Sequence, residues 1–342
     1  MASDFSASET SSVDGGASVS DPLLAGLRSG DRRALAKAIT LIESTREDHR
    51  ERAETLLAQA LPYTGASLRL GISGVPGVGK STFIEALGLM LVAQGHRVAV
   101  LAIDPSSRIR GGSILGDKTR MEQLASHPAT FIRPSPSSGT LGGVAAQTRE
   151  AVLLVEAAGF DVVMVETVGV GQSETAVADL TDLFILLQLP NAGDDLQAMK
   201  RGVMEWADII VINKSDLDPE AAALAQSQVA MAQMSTHLGQ SPDVLRLSAL
   251  RGEGLPAFWD RVQFHATTRR AEGRFDRRRQ EQSRAWMWDL VKARLMAKFL
   301  SHPAVHEALQ PLETAVLEGS MTPNAAVKRL LHLFEQAPSS IH

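Results

Sequence analysis

The sequence predicts an α/β protein: a mostly parallel central sheet covered by helices on both faces, with helical extensions at each end. Two observations carry this. Six short apolar runs, Leu68–Ile72, Val98–Ile103, Asp161–Val165, Leu183–Leu189, Ile209–Ile212 and Val244–Leu247, alternate with helical stretches such as Ser81–Gln94, Thr148–Ala158 and Ala221–Leu238. Strands that are apolar on both faces and separated by helices form a parallel sheet buried on both sides. The first run also enters a glycine-rich loop, Gly74-Val75-Pro76-Gly77-Val78-Gly79-Lys80-Ser81-Thr82, from which a helix leaves. That is the strand–loop–helix context of a phosphate-binding P-loop, so the fold class is that of a P-loop nucleoside triphosphatase.

In chain order, Met1 to Asp21 is rich in Ser, Ala and Asp and reads as a disordered tail without a targeting signal. Residues 22–66 form an N-terminal helical segment. Leu23, Leu24 and Leu27, then Leu35, Ile39 and Ile42, recur at helical spacing, with Asp31 as an N-cap and Pro62 as a stop. Residues 67–268 are the nucleotide-binding domain. Residues 269–342 open on an arginine-rich run interleaved with Glu272, Asp276 and Glu281, which reads as a solvated helix face. They continue into a helix whose apolar residues, Trp286, Met287, Leu290, Val291, Leu295 and Phe299, occupy more than one stripe. A helix with two apolar faces has to bury both, which predicts packing on its own chain and on a second copy.

Composition sets limits. The chain has 342 residues, 44% of them hydrophobic, enough for a substantial core. Lys+Arg 34 against Asp+Glu 39 argues against a nucleic-acid or anionic-membrane binder. No cysteine is present, which excludes disulfides, thiolate metal sites and cysteine nucleophiles. No apolar run approaches the length of a membrane span, so the expected location is the cytoplasm.

The motifs specify a nucleotide and its base. Successive N–H groups of the P-loop and the N-terminal end of the following helix make an anion nest. Lys80 suits the β/γ-phosphate oxygens, and the Ser81 hydroxyl suits Mg²⁺, which prefers oxygen ligands. Asn213-Lys214-Ser215-Asp216 follows an apolar strand in the pattern N-K-x-D. Asp216 offers two oxygens to guanine N1–H and N2, Lys214 can lay its stem along the base, and Asn213 is placed to tether the P-loop. Ser248-Ala249-Leu250 fits a last guanine-contacting loop, with a backbone N–H toward the base O6.

Glu166-Thr-Val-Gly169 stands where a GTPase carries D-x-x-G; the longer carboxylate would hold Mg²⁺ through water, and the Gly169 N–H would meet the γ-phosphate. Asp104, before Pro105, is a candidate for water or Mg²⁺, with a turn cap as its bland alternative, and Asp117 is a second candidate metal ligand. Gln172 does not directly follow Gly169 in the position that orients water, so slow intrinsic hydrolysis is expected.

Together these residues resemble the MeaB/ArgK family of P-loop GTPases, G-protein chaperones of adenosylcobalamin-dependent acyl-CoA mutases, whose relatives include the methylmalonic aciduria type A protein. The resemblance rests on the P-loop and Asn213–Asp216 stretches, on Asp104-Pro-Ser-Ser107 and Gly111-Gly-Ser-Ile-Leu-Gly-Asp-Lys-Thr-Arg-Met121, and on Arg133-Pro-Ser-Pro-Ser-Ser-Gly-Thr-Leu-Gly-Gly143 and Glu166–Glu174. It implies a homodimer joined by C-terminal helices that binds GTP and Mg²⁺ and hydrolyses GTP slowly until a mutase stimulates it. It also implies that the protein gates loading, protection and reactivation of the mutase's cofactor. By matching positions, Asp104–Lys118 and Glu166–Glu174, including Gln172, would be the first two switches. Leu189–Lys200 would be a third, with Asp194, Asp195 and Lys200 as couplers to the mutase. Two other readings share the P-loop. A nickel metallochaperone GTPase predicts Cys/His clusters, and a small-molecule kinase predicts an acceptor pocket in place of a guanine reader.

Overall fold

The computed structural model describes residues 21–103, 121–134, 141–167, 173–190, 201–236 and 241–336. The chain divides into two compact units, Met1–Arg269 and Arg270–His342. In the first, seven strands form one sheet: β1 Leu68–Gly74, β2 Val98–Ile103, β3 Thr130–Arg133, β4 Val162–Thr167, β5 Leu183–Gln188, β6 Ile209–Ile212 and β7 Asp243–Arg246. They are ordered β3-β2-β4-β1-β5-β6-β7, and every paired neighbour is parallel. The doubly covered parallel sheet expected from the sequence is therefore present. It has one more strand than the six apolar runs, because β3 is a four-residue edge strand. All residues of β2, β4, β5 and β6 are buried, which is why they read as unbroken apolar runs rather than alternating ones.

Both faces of the sheet are covered. On one lie α1 Pro22–Arg28, α2 Arg32–Ile42 and α3 Glu47–Ala60, whose Leu27, Leu35, Ile39 and Leu56 join a core shared with strand residues such as Leu101, Val163 and Leu186. Asp21 caps α1 and Asp31 caps α2, each by accepting an N–H two residues on. Pro62 lies in a 3₁₀ turn, Leu61–Tyr63, that ends this segment. On the other face, α4 Lys80–Ala93 buries Phe83, Ile84, Leu87 and Leu91, and Phe83 meets Phe258 edge-on at 5.2 Å. The remaining described helices of this unit are α5 Glu122–Ser126, α6 Leu141–Ala157, α7 Ser173–Ala178, α8 Arg201–Met204, α9 Pro219–Thr236 and α10 Leu255–Ala271.

The sheet's amino-terminal edge carries a repeated device. Asp161, Asp182 and Asp208 each stand immediately before a strand and accept an N–H from a neighbouring one. Arg97 N donates to Asp161 at 2.7 Å, Arg69 N to Asp182 at 2.8 Å and Phe184 N to Asp208 at 2.8 Å. Buried backbone donors left without partners are costly, so these carboxylates seal the start of the sheet. Asp243 at the next strand accepts a bidentate pair from Arg261, at 2.7 and 2.8 Å, and contacts His265 Nε2 at 2.7 Å. Burial pushes the Asp243 carboxyl up, but Arg261 and His265 outweigh it and hold the group below its usual range. Arg269 continues this stripe of α10 and pairs with Asp208. It belongs to the arginine run expected to be solvated, yet its side chain is 13% exposed, because the run begins on a packed helix.

The second unit holds α11 Arg274–Ser301, α12 Pro303–Leu317 and α13 Pro323–Gln336. Arg270 and Arg279 lie over the ring of the buried Phe275 at 4.5 and 4.6 Å, so they too cover apolar surface rather than only facing water. Phe299 packs on Phe334 at 5.4 Å, and Val305, Leu312 and Ala326 are buried. Along α11, however, Met287, Trp288, Val291, Leu295 and Met296 remain exposed.

Glu156 on α6 is a buried charge of the first unit. Its side chain is 1% exposed; Arg69 reaches its two oxygens at 2.8 and 2.9 Å, Gly65 N donates at 2.9 Å, and the Ser67 hydroxyl also donates. Burial raises its pKa, but Arg69, Ser67 and the Gly65 N–H together bring the carboxyl below its ordinary value of 4.5. A depressed pKa contributes stability that is complete above 4.5 and is lost as pH falls through the folded-state value. Glu156→Gln leaves Arg69 without its charge partner, and urea unfolding near neutral pH should show a loss of about 3–5 kcal/mol. The gap from wild type should narrow as pH falls below 4.5.

Candidate nucleotide-binding site

The site lies at the carboxyl ends of β1, β4, β5 and β6, where ligands of open parallel sheets bind. β1 runs straight into the loop Val75–Gly79, and α4 begins at Lys80. Two glycines are required by what surrounds them. A Cβ on Gly74 would lie 2.5 Å from the Leu187 carbonyl oxygen of the adjacent strand. Gly79 has φ 95°, and a Cβ there would lie 2.8 Å from Asn213 Nδ2. Val78 anchors the loop from beneath, fully buried. Lys80 Nζ donates to the Gly74 carbonyl at 2.8 Å, which places its charge over the loop mouth. Ser81 and Thr82 occupy the first turn of α4, where N–H groups still lack intrahelical partners.

Asn213 joins this loop to the end of β6. Its Nδ2 donates to the Val78 carbonyl at 2.8 Å, and its Oδ1 accepts from Ala249 N at 3.1 Å; the residue is 1% exposed. One side-chain amide thus holds three loops in fixed relation. Lys214, next in the chain, has φ 60°, the left-handed conformation that a residue with a side chain adopts at a cost. The strain is maintained by Asn213 N bonded to the Gln188 carbonyl at 2.9 Å on one side and Ser215 N bonded to the Leu247 carbonyl at 3.2 Å on the other.

The result is a cavity of about 250 Å³ lined by Gly79, Thr82, Asn213, Lys214, Asp216, Leu217, Ala249 and Leu250. Asp216 supplies the carboxylate. The Ser248 hydroxyl is placed to donate to it and is the largest influence holding its pKa below the usual range; burial opposes this, and the charges of Arg251 and Lys214 add to it. Ser248 is fully buried, and Leu217 and Leu250 expose apolar surface at the rim. An ionised, two-oxygen acceptor at one end of an apolar slot suits a planar base that presents two adjacent N–H groups.

Glu166 is the penultimate residue of β4, opposite Ile72 of β1, and is 3% exposed. The hydroxyls of Ser73 and Thr167, which flank these positions, lie 3.0 Å apart and bind the ends of β1 and β4 together. The oxygen donors of Ser81 and Glu166 are the type a hard divalent cation takes. Among the described residues no three His, Asp or Glu side chains gather in a metal-binding group. Asp104, Asp117, Gly169, Gln172, Asp194, Asp195 and Lys200 lie outside the described residues. Thr82, a nucleotide-binding residue expected from the P-loop stretch, lines the cavity, and so does Leu217, which the motifs do not include. Leu217 directly follows Asp216, and that adjacency is the available signal.

Fold and site define a P-loop nucleotide-binding protein of the GTPase class. The family described as methylmalonyl-CoA mutase-associated GTPase MeaB matches residues 35–304, and the chain belongs to it. It is 52% identical over 317 residues to a probable GTPase of Mycobacterium tuberculosis, covering 92% of this chain and 94% of that one. It is 45% identical over 329 residues to the mitochondrial methylmalonic aciduria type A homolog of Mus musculus, covering 92% and 79%. Among solved structures, that of a LAO/AO transport system kinase superposes with a TM-score of 0.73 at 37% identity, covering 92% and 97%. Among the described residues no helix is long and apolar enough to cross a membrane.

Proposed function

We propose that this protein is a GTPase chaperone that binds an adenosylcobalamin-dependent acyl-CoA mutase and couples GTP binding and hydrolysis to loading, protection and reactivation of the mutase's cofactor. The observation that carries the GTP assignment is the carboxylate of Asp216 in a slot tied to the P-loop through Asn213. The mutase assignment is supported by the family description and by the methylmalonic aciduria relatives.

In this reading the N–H groups of Gly74–Ser81 and the Lys80 ammonium hold the triphosphate, and Asp216, Lys214 and the Ser248–Leu250 loop hold guanine. Magnesium would suit the oxygen donors Ser81 and Glu166, with Asp104 and Asp117 as further ligands, and would supply positive charge against the phosphates. Lys80 is already aimed over the loop, so the charge that stabilises the transferring phosphoryl needs little rearrangement. Gly169 would contact the γ-phosphate, and Gln172, Asp194, Asp195 and Lys200 would report its loss to the mutase. The exposed Trp288, Val291 and Leu295 recur on one side of α11 and support a homodimer through this helix.

Two measurements test this. Asp216→Asn replaces an acceptor by a donor, so titration calorimetry should show GTP affinity reduced by about 10²- to 10⁴-fold and xanthosine triphosphate affinity increased. Unchanged GTP binding would remove the guanine assignment. The cognate mutase should accelerate GTP hydrolysis, and Lys200→Ala should reduce that acceleration at nearly constant GTP affinity, since partner and nucleotide are linked through the switch. Equal stimulation in both proteins ends the role of Lys200, and no stimulation by any candidate mutase ends the chaperone reading.

A further inference from the structure

Helix α5 is short, and its first turn is capped by another helix. Its N-cap residue, Met121, makes no side-chain cap bond, although the first N–H groups of a helix lack intrahelical partners. Glu85 of α4 supplies the missing acceptor: its Oε1 accepts from Gln123 N at 3.0 Å and lies 3.5 Å from Leu124 N. A second contact reinforces the first. Leu124 is fully buried, and a Cβ on Gly88 of α4 would lie 2.8 Å from both of its methyl carbons, so glycine at 88 lets the two helices meet closely. At the other end of α5 the Thr130 hydroxyl donates to the carbonyls of Leu124 and His127. The helix is therefore held at both ends and along its buried side.

Two relations along the chain give this cap a use. Glu85 stands one helical turn after Ser81, on the same face of α4. Asp117, which lies outside the described residues, stands four positions before Met121. We infer that Glu85 is a positioning residue for the divalent cation of the nucleotide site: by capping α5 it fixes the end of the segment that carries Asp117 to the helix that carries Ser81. This rests on the reading of Asp117 as a magnesium ligand. Glu85 does not touch the cation and acts through Asp117. A cation site whose donors come from separate segments binds more weakly when one segment is not held, because binding then bears the cost of ordering it. What the cap requires of residue 85 is an acceptor oxygen rather than a charge.

The test uses the full chain and magnesium itself as the probe. It measures the MgCl2 concentration that half-maximally slows dissociation of a fluorescent, non-hydrolysable GTP analogue, which reads cation binding without turnover. Glu85→Ala should raise that concentration by up to about ten-fold. Glu85→Gln, whose amide oxygen still accepts, should resemble wild type. Gly88→Val, which displaces Leu124 without touching Glu85, should shift the requirement in the same direction, so a folding defect in one variant does not decide the result. If Glu85 acts through Asp117, the double variant Glu85→Ala/Asp117→Ala should need no more magnesium than Asp117→Ala alone. An unchanged requirement in Glu85→Ala and Gly88→Val, or a double variant in which the two single shifts add, overturns the positioning role while leaving the nucleotide-site reading intact. An Asp117→Ala variant with the wild-type requirement overturns the ligand reading itself, and the inference with it.

Discussion

The architecture of the site depends on one side-chain amide. Asn213 is buried at the end of β6, and it donates to the P-loop at Val78 and accepts from the last base-contacting loop at Ala249. It thereby joins a phosphate nest and a base pocket built from loops more than a hundred residues apart. In an interior of low dielectric these bonds are strong, and either group left unpaired would carry a desolvation cost. The same amide limits Gly79, whose Cβ it would contact, while the backbone bonds of Asn213 and Ser215 hold Lys214 in its left-handed conformation.

The sheet beneath is sealed at its opposite edge by a different principle. Carboxylates at 161, 182 and 208 satisfy N–H groups at the starts of neighbouring strands, and Arg69, Arg261 and Arg269 neutralise the charges gathered there or close by on Glu156. The carboxyl edge is thus left for ligands while the amino edge is closed. Arg269, the last residue of the first unit, ends the stripe of α10 that grips this edge. The stability of the nucleotide domain and the placement of its site are in this sense carried at opposite ends of the same strands.

Much of this was legible in the sequence because its signals are local. The P-loop, the N-K-x-D turn and the doubly buried strands each occupy a few consecutive residues, and their spacing gives the fold class. What escaped was the part that depends on distant partners. Thr130–Arg133 is too short and too mixed to stand out as a strand until β2 is beside it. Asp161, Asp182 and Asp208 look like ordinary loop acids until the neighbouring N–H groups are seen. Glu85 sits within α4 like any helix acid, and only its bond to Gln123 N singles it out. Arg269 read as part of a solvated run because charge density in a sequence does not report which side of a helix is packed.

The central claim, that the Asn213 side chain joins the phosphate and base halves of the site, is tested most directly by amide hydrogen exchange at Ala249 in nucleotide-free protein. That N–H is bonded to the Asn213 side chain, so it should exchange slowly in wild type and rapidly in Asn213→Ala, while amides within β5 and β6 remain equally protected in both. Fast exchange at Ala249 in nucleotide-free wild type, or protection that survives loss of the Asn213 side chain, would contradict it.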